Sequence, residues 1–183
     1  MVKSLFSKKD CTSLLNKKIK NQFYSANTHY PTNYRNNQRN VVDDFNLAKK
    51  LFRKVSPFLP KKIKNSEGSW YLKQLNPRLR YCKYSKDQYF NRHLDGVYFQ
   101  NKISKSKLTF MIYLNDSKEF KGGKTLFYKK KDSKKIWASY IPKQGDLIIF
   151  ENSIWHEGEK VLNGEKFVLR SDIIYKKKSL FSR

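Results

Sequence analysis

The sequence predicts an α+β fold in which helices support a β-sandwich or jelly-roll body, and three observations carry that reading. The chain has 183 residues, enough to bury a real core in one domain without disulfide or zinc staples. Its first third repeats apolar residues at a helical period, whereas from about residue 78 the pattern changes to short β-like runs broken by turn residues. No internal repeat and no Pro-, Gly- or Ser-rich linker separates the two parts, which fits helices laid on one side of a β body.

The elements follow in order. Cys11, Leu14, Leu15 and Ile19 keep a helical spacing behind Ser7 and Asp10, a capping arrangement. A second helix starts at Asp43 or Asp44, turns Leu47, Leu51, Phe52 and Val55 to one face, and ends before Pro57. The polar stretch YPTNYRNNQRN between them reads as a loop. Residues 1–77 are therefore expected to be mainly helical support and a substrate-side loop, and residues 78–175 the β core, within a single domain spanning 1–183. The strand candidates are LRYCKY, KLTFMIYLN, KTLFYKK, IWASYI, DLIIFE and KFVLRSDIIY. Several lack strict alternation, as strands covered on both faces do.

Composition narrows the function classes. Forty Lys and Arg against 15 Asp and Glu give a net charge of +25, which attracts polyanions such as nucleic acid or acidic protein. A coding bias toward A and T explains the excess of lysine and asparagine equally well. The lysine-rich YKKKDSKK, residues 128–135, reads as a solvated hairpin loop ahead of a nucleic-acid contact, and YKKK near the carboxyl terminus reads the same way. Cys11 and Cys82 have no CxxC spacing and read as reduced thiols rather than a disulfide framework. No apolar run suits a signal peptide or a membrane span, so the expectation is a soluble intracellular protein, cytoplasmic or nuclear, with no membrane and no obligate partner.

The chemistry begins at RHLDGVY, where His93 stands two residues before Asp95. In an extended strand such positions share a face, so an imidazole and a carboxylate meet one object, and a metal ion suits both. A second histidine, His156, follows the apolar strand DLIIFEN, and two imidazoles with one carboxylate make the facial triad of non-haem Fe(II) oxygenases. Taken alone, His156 fits a half-buried structural histidine beside Trp155 better. The strand after it changes that preference, because Lys166, Val168, Arg170 and Asp172 share one face, and so many charges inside a small barrel call for a charged guest. A dicarboxylate would serve. The third histidine, His29, has no partner at a useful spacing, and Trp70, Trp137 and Trp155 read as core or rim packing.

Five motifs in order resemble the Fe(II)- and 2-oxoglutarate-dependent dioxygenases, in particular their prolyl 4-hydroxylase-like branch. They are RYCKYSKDQYFNRHLDG, LTFMIYLND, FKGGKTLFY, PKQGDLIIFEN and HEGEKVLNGEKFVLRSDIIY, together spanning roughly residues 78 to 175. The glycine that the family carries shortly after the first tyrosine is replaced here by YSKDQYF.

The resemblance implies a double-stranded β-helix, a jelly-roll and cupin-like fold, with the metal at its open end. It implies Fe(II) on His93, Asp95 and His156, and 2-oxoglutarate and O2 as cosubstrates, with ascorbate a further candidate. Lys166 would hold the distal carboxylate of 2-oxoglutarate, with Arg170 the alternative for that role. Tyr113 would donate to the same carboxylate, Tyr84 would sit near the keto-acid end, and Thr125 would line the pocket. Arg35, Arg39 and Trp155 are substrate-side candidates. The implied reaction hydroxylates an unactivated C–H bond and releases succinate and CO2. A protein or peptide side chain is the first choice of substrate, with proline the default. The competing readings are an oxidative demethylase of nucleic acid, a catalytically silent basic nucleic-acid-binding domain on the same scaffold, and a zinc hydrolase site.

Overall fold

The computed structural model describes residues 1–28 and 31–177, so that His29 and the end of the lysine-rich carboxyl terminus lie outside the described residues. In chain order the elements are α1 (Lys8–Leu14), α2 (Lys17–Lys20), β1 (Tyr24–Ser25), β2 (Gln38–Asp43), α3 (Phe45–Val55) and a 3-10 turn at Ser56–Phe58. Then come β3 (Lys62–Asn65), β4 (Gly68–Leu75), β5 (Arg78–Tyr84), β6 (Phe90–His93), β7 (Phe99–Asn101) and β8 (Ser104–Tyr113). The remainder is β9 (Phe120–Gly122), β10 (Thr125–Tyr128), β11 (Ala138–Tyr140), β12 (Leu147–Glu151), β13 (Trp155–Gly158), β14 (Val161–Gly164) and β15 (Lys166–Lys177). Among the described residues no helix is long and apolar enough to cross a membrane.

Local chemistry sets the helices. Ser7 and Asp10 form a reciprocal capping box, each side chain accepting the other's backbone N–H, at 2.9 and 3.1 Å. The helical period up to Ile19 is interrupted after Leu14, because the Asn16 side chain accepts the Ile19 N–H at 3.1 Å and starts α2 afresh. Asp44 caps α3 through Leu47 N–H at 2.8 Å, and Ala48, Leu51 and Val55 turn inward.

The expectation of a mainly helical first 77 residues is corrected by β1 to β4, which lie there. The last three residues of the expected YPTNYRNNQRN loop, Gln38, Arg39 and Asn40, enter β2, whose Gln38–Asp43 pairs with β5 along its whole length. The side chains there are polar, but pairing along a neighbouring edge outweighs weak local propensity. IWASYI contributes only the short β11, and Trp137 beside it is 54% exposed rather than packed in the core.

All pairings are antiparallel. One sheet runs β1-β2-β5-β15, with β8 and then β12 on the far side of β15, and β4 and β3 flanking its carboxyl-terminal half. A four-stranded sheet β11-β10-β13-β6 faces it, and β14-β9 form a separate pair. Strand parity then divides the chemistry. Odd-numbered Leu79, Tyr81, Phe167, Leu169 and Ile173 join Cys11, Leu51 and Val55 in the core under the helices. Even-numbered Cys82, Tyr84 and Val168 join Phe120, Ile148 and Phe150 in a second core between the sheets. Lys166 and Arg170 belong to the same parity as this second set, so the pleat alone directs them into the sandwich.

Candidate metal site

The smaller sheet brings the two histidines of the triad together. His93 ends β6, and His156 stands directly opposite it in the β13 register. Asp95, two residues on, is tied by its backbone N–H to the Asn152 carbonyl at 3.1 Å. One ligand atom from each of the three residues falls within 4.8 Å of the others, and all three residues are buried.

Both imidazoles are oriented by the backbone. His93 Nδ1 lies 2.7 Å from the Asn91 carbonyl and His156 Nδ1 lies 2.9 Å from the Ile154 carbonyl. A carbonyl only accepts, so each Nδ1 carries the proton and each Nε2 presents a lone pair. Those Nε2 atoms point to opposite oxygens of one carboxylate, at 3.7 Å from Asp95 Oδ1 and 3.6 Å from Oδ2.

The protonation states follow from surroundings. Burial, helped by His156, pushes His93 down to about 3, and burial likewise lowers His156. Burial alone would raise Asp95, but Arg170 first, then His156, His93 and Thr109, bring it down to about 2. Two neutral imidazoles and one ionised carboxylate form a donor set that suits a divalent transition metal, and this chain's residues therefore fit such an ion.

Asp95 is gripped on both oxygens. The Thr109 hydroxyl donates to Oδ2 and Arg170 Nη2 lies 2.5 Å from Oδ1. Arg170 Nη2 also stands 3.8 Å from Asp172 Oδ1, while Arg80 holds Asp172 Oδ2 at 2.9 Å. Behind Thr109, Asn152 Oδ1 is 3.4 Å away, and Asn152 Nδ2 donates to Ser106 Oγ at 2.9 Å.

A cleft of about 530 Å³, counting its open mouth, adjoins the histidines and runs to Lys166. Lys166 is 2% exposed, donates to the Gly123 carbonyl at 2.7 Å and stands 4.6 Å from the Tyr84 ring centre. Burial lowers its ammonium to about 8. The Gly122-Gly123 turn makes this contact possible. Gly123 has φ +68°, and a Cβ there would come within 3.3 Å of the Lys166 chain.

The candidates named from sequence separate here. Lys166 and Arg170 both line the cleft but do different work, since Arg170 is at the triad and Lys166 is held by the glycine turn. Tyr84, Thr125, Arg35 and Arg39 also line it. Tyr113 stands one layer back, fully buried, with its hydroxyl 2.7 Å from Thr125 Oγ1. Trp155 does not line the cleft, because alternation along β13 turns it away from the face of His156.

The profile of the 2OG-Fe(II) oxygenase superfamily matches residues 79–171, half of the chain, and these include all three triad residues. The chain belongs to the 2OG-Fe(II) oxygenase superfamily. Among curated members, a PKHD-type hydroxylase of Prochlorococcus marinus strain MIT 9312 is 25% identical over 125 residues, 67% of this chain and 54% of that protein. A PKHD-type hydroxylase from a second strain of the same species, SARG, is 31% identical over 88 residues, 48% of this chain and 37% of that protein. The chain thus spans about half the length, or less, of these curated relatives.

Solved structures share the oxygenase fold. The viral collagen prolyl hydroxylase of Paramecium Bursaria Chlorella virus-1, in its 2OG complex, superposes with TM-score 0.64 at 20% identity, covering 97% of this chain and 94% of that one. A Trichoplax adhaerens prolyl hydroxylase, bound to a hypoxia inducible factor oxygen degradation domain peptide fragment, gives 0.65 at 15% identity, covering 94% and 81%. The body is accordingly the double-stranded β-helix of this superfamily, with flanking helices.

Arg80 and Phe90 line the cleft and Asn37 stands behind it, and none of them was singled out from the sequence. Arg80 was signalled by parity, being on the face of Cys82 and Tyr84 in β5. Phe90 stacks on His93 at 3.5 Å between ring centres, and Asn37 holds Arg35. Phe90 had no local signal, because the face it presents to the cleft is set by pairings between distant segments, whereas Asn37, two residues from Arg35, is buried behind the cleft.

Proposed function

We propose that this chain is an Fe(II)- and 2-oxoglutarate-dependent dioxygenase that hydroxylates a protein or peptide side chain, with O2 as cosubstrate, succinate and CO2 as products and ascorbate as supporting reductant. One observation carries the reading. A buried two-histidine, one-carboxylate set and a buried lysine with no carboxylate partner among the described residues share a single cleft. The metal supplies the oxidising centre when bound, and His93, Asp95 and His156 are the residues that would hold it.

The rest is the work of this chain's own groups. Lys166 is an ammonium whose present acceptor is a neutral carbonyl, so a carboxylate gains more from it than Gly123 does. Tyr84 and Thr125 bound that end of the cleft, and Tyr113 backs Thr125 through its hydroxyl. The backbone carbonyls of Asn91 and Ile154 keep both Nε2 atoms unprotonated and aimed. The peptide in the Trichoplax complex supports the substrate class by analogy of fold.

The test is anaerobic absorption spectroscopy of the metal-free protein on adding Fe(II) and then 2-oxoglutarate. A weak visible charge-transfer band that vanishes in His156→Ala is expected. A folded protein that takes up iron and shows no band refutes the reading.

A further inference from the structure

The cleft carries more positive charge than a metal and one dicarboxylate account for. Among the described residues five cations line it: Arg35, Arg39, Arg80, Lys166 and Arg170. Asp95 and Asp172 are in contact with Arg170 and Arg80, and Glu157 stands on the wall. A divalent ion and a dianionic cosubstrate cancel each other, so Arg35, which meets no carboxylate among the described residues, keeps its charge in the loaded site.

Arg35 is 5% exposed, its Nε and Nη2 both donate to Asn37 Oδ1, at 3.1 and 2.9 Å, and that amide is neutral. Its Cζ lies 4.1 Å from the centre of the Phe90 ring. His93 stacks on that ring at 3.5 Å and 12°, so it occupies one face and the guanidinium has the other. Arg35 therefore stands behind Phe90 as seen from His93, out of line with the metal. A guanidinium this buried, with an amide and a ring as its side-chain partners among the described residues, is costly unless something anionic completes it. Its Nη1 makes no hydrogen bond within the described residues, and the fork is suited to a carboxylate.

Resting on the dioxygenase reading, we propose that the substrate is an acidic peptide, and that Arg35 binds a carboxylate of the substrate next to the residue to be hydroxylated. A nucleic-acid substrate fits this cleft less well. Among the described residues its rings are Tyr84, with Lys166 against it, Phe90, covered on both faces, and the imidazoles of His93 and His156 that would hold the metal, so none is left as a stacking platform for an extruded base.

The experiment uses the full chain loaded with Mn(II) and 2-oxoglutarate without O2. Fluorescein-labelled peptides with one central proline are compared by anisotropy, the flanking residues being Asp and Glu in one set and Asn and Gln in the other. A mixed-sequence single-stranded oligodeoxynucleotide is the third probe. The acidic set binds about 10- to 100-fold more tightly than the neutral set at equal salt. Arg35→Gln abolishes that preference while leaving Mn(II) and 2-oxoglutarate affinities within about twofold. Asn37→Asp, which keeps the arginine and its ring contact but supplies an internal carboxylate, also abolishes it.

Equal binding of the two peptide sets, or a preference that survives both variants, overturns the proposal. So does a weakened 2-oxoglutarate affinity in Arg35→Gln, which would make the guanidinium part of the cosubstrate site, and so does oligonucleotide binding that depends on Arg35. Absence of 2-oxoglutarate binding in the wild-type chain is a separate result and counts against the dioxygenase reading itself.

Discussion

Replacing Arg170 by methionine separates the metal-free protein from the loaded one. In the metal-free chain the guanidinium, 2.5 Å from Asp95 Oδ1, is the counter-ion of a carboxylate that is 7% exposed. Removing one partner of a buried pair costs about 3–5 kcal/mol. Thr109 and its hydrogen bond to Asp95 are still present in the variant, so the lower value, about 3 kcal/mol, is the better figure. In the loaded site the same guanidinium opposes the metal. At 4 Å and an effective dielectric of 20, two unit charges interact by about 4 kcal/mol, and a dication doubles that. Arg170 has somewhere to go, since Asp172 Oδ1 is already 3.8 Å from Nη2. The thermodynamic cycle then gives metal binding stronger by about the 3 kcal/mol that the apo protein lost, or roughly 100-fold. Calorimetric titration with Mn(II) and thermal melting measure both arms. Arg170→Met melts about 6–12 °C lower without metal and binds Mn(II) about 100-fold more tightly. Unchanged or weaker Mn(II) binding would refute the reasoning, because it would mean that Arg170 supports Asp95 from the outer oxygen in the loaded site as well.

Four further outcomes follow from the same geometry. Lys166→Met lowers 2-oxoglutarate affinity by about 10- to 100-fold with Mn(II) affinity retained, measured by competition calorimetry. In the wild type, 2-oxoglutarate affinity is flat below pH 8 and falls above it. The reason is that the ammonium, brought down by burial from 10.5 to about 8, is lost there. The ligand-free protein shows the opposite sign: its unfolded lysine holds the proton up to 10.5, so between about 8 and 10.5 stability rises with pH, a rise absent in Lys166→Met. Thr109→Val keeps the shape but removes the hydroxyl that donates to Asp95 Oδ2, and Mn(II) affinity drops about 10-fold with the fold intact by circular dichroism. An unchanged affinity would show that the hydroxyl does not orient the ligand.

Much of this was legible along the chain. The period of two lined up Lys166 and Arg170 within β15, since the β pleat is a local property that any register preserves. It does not account for Asp95, which lies beyond the end of β6 at His93 and is placed by its bond to the Asn152 carbonyl. Capping by Ser7, Asp10 and Asp44 was legible for the same reason, each contact being made within three residues. The loop that became β2 was not, because its polar residues gain their strand only from the free edge of β5. Nor was the difference between Lys166 and Arg170. Parity gave them one face, but only the sandwich sets one against a glycine turn and the other against Asp95.

By itself the sequence determined the periodicities, the caps and the order of the ligand-bearing motifs, all of which act over a few residues. The tertiary structure decided which charges are compensated: Asp95 by Arg170, Asp172 by Arg80, and Lys166 and Arg35 by no carboxylate among the described residues. That division is physical, since burial and partnership are properties of the space between strands, and pairing across sheets depends on residues that the chain keeps tens of positions apart.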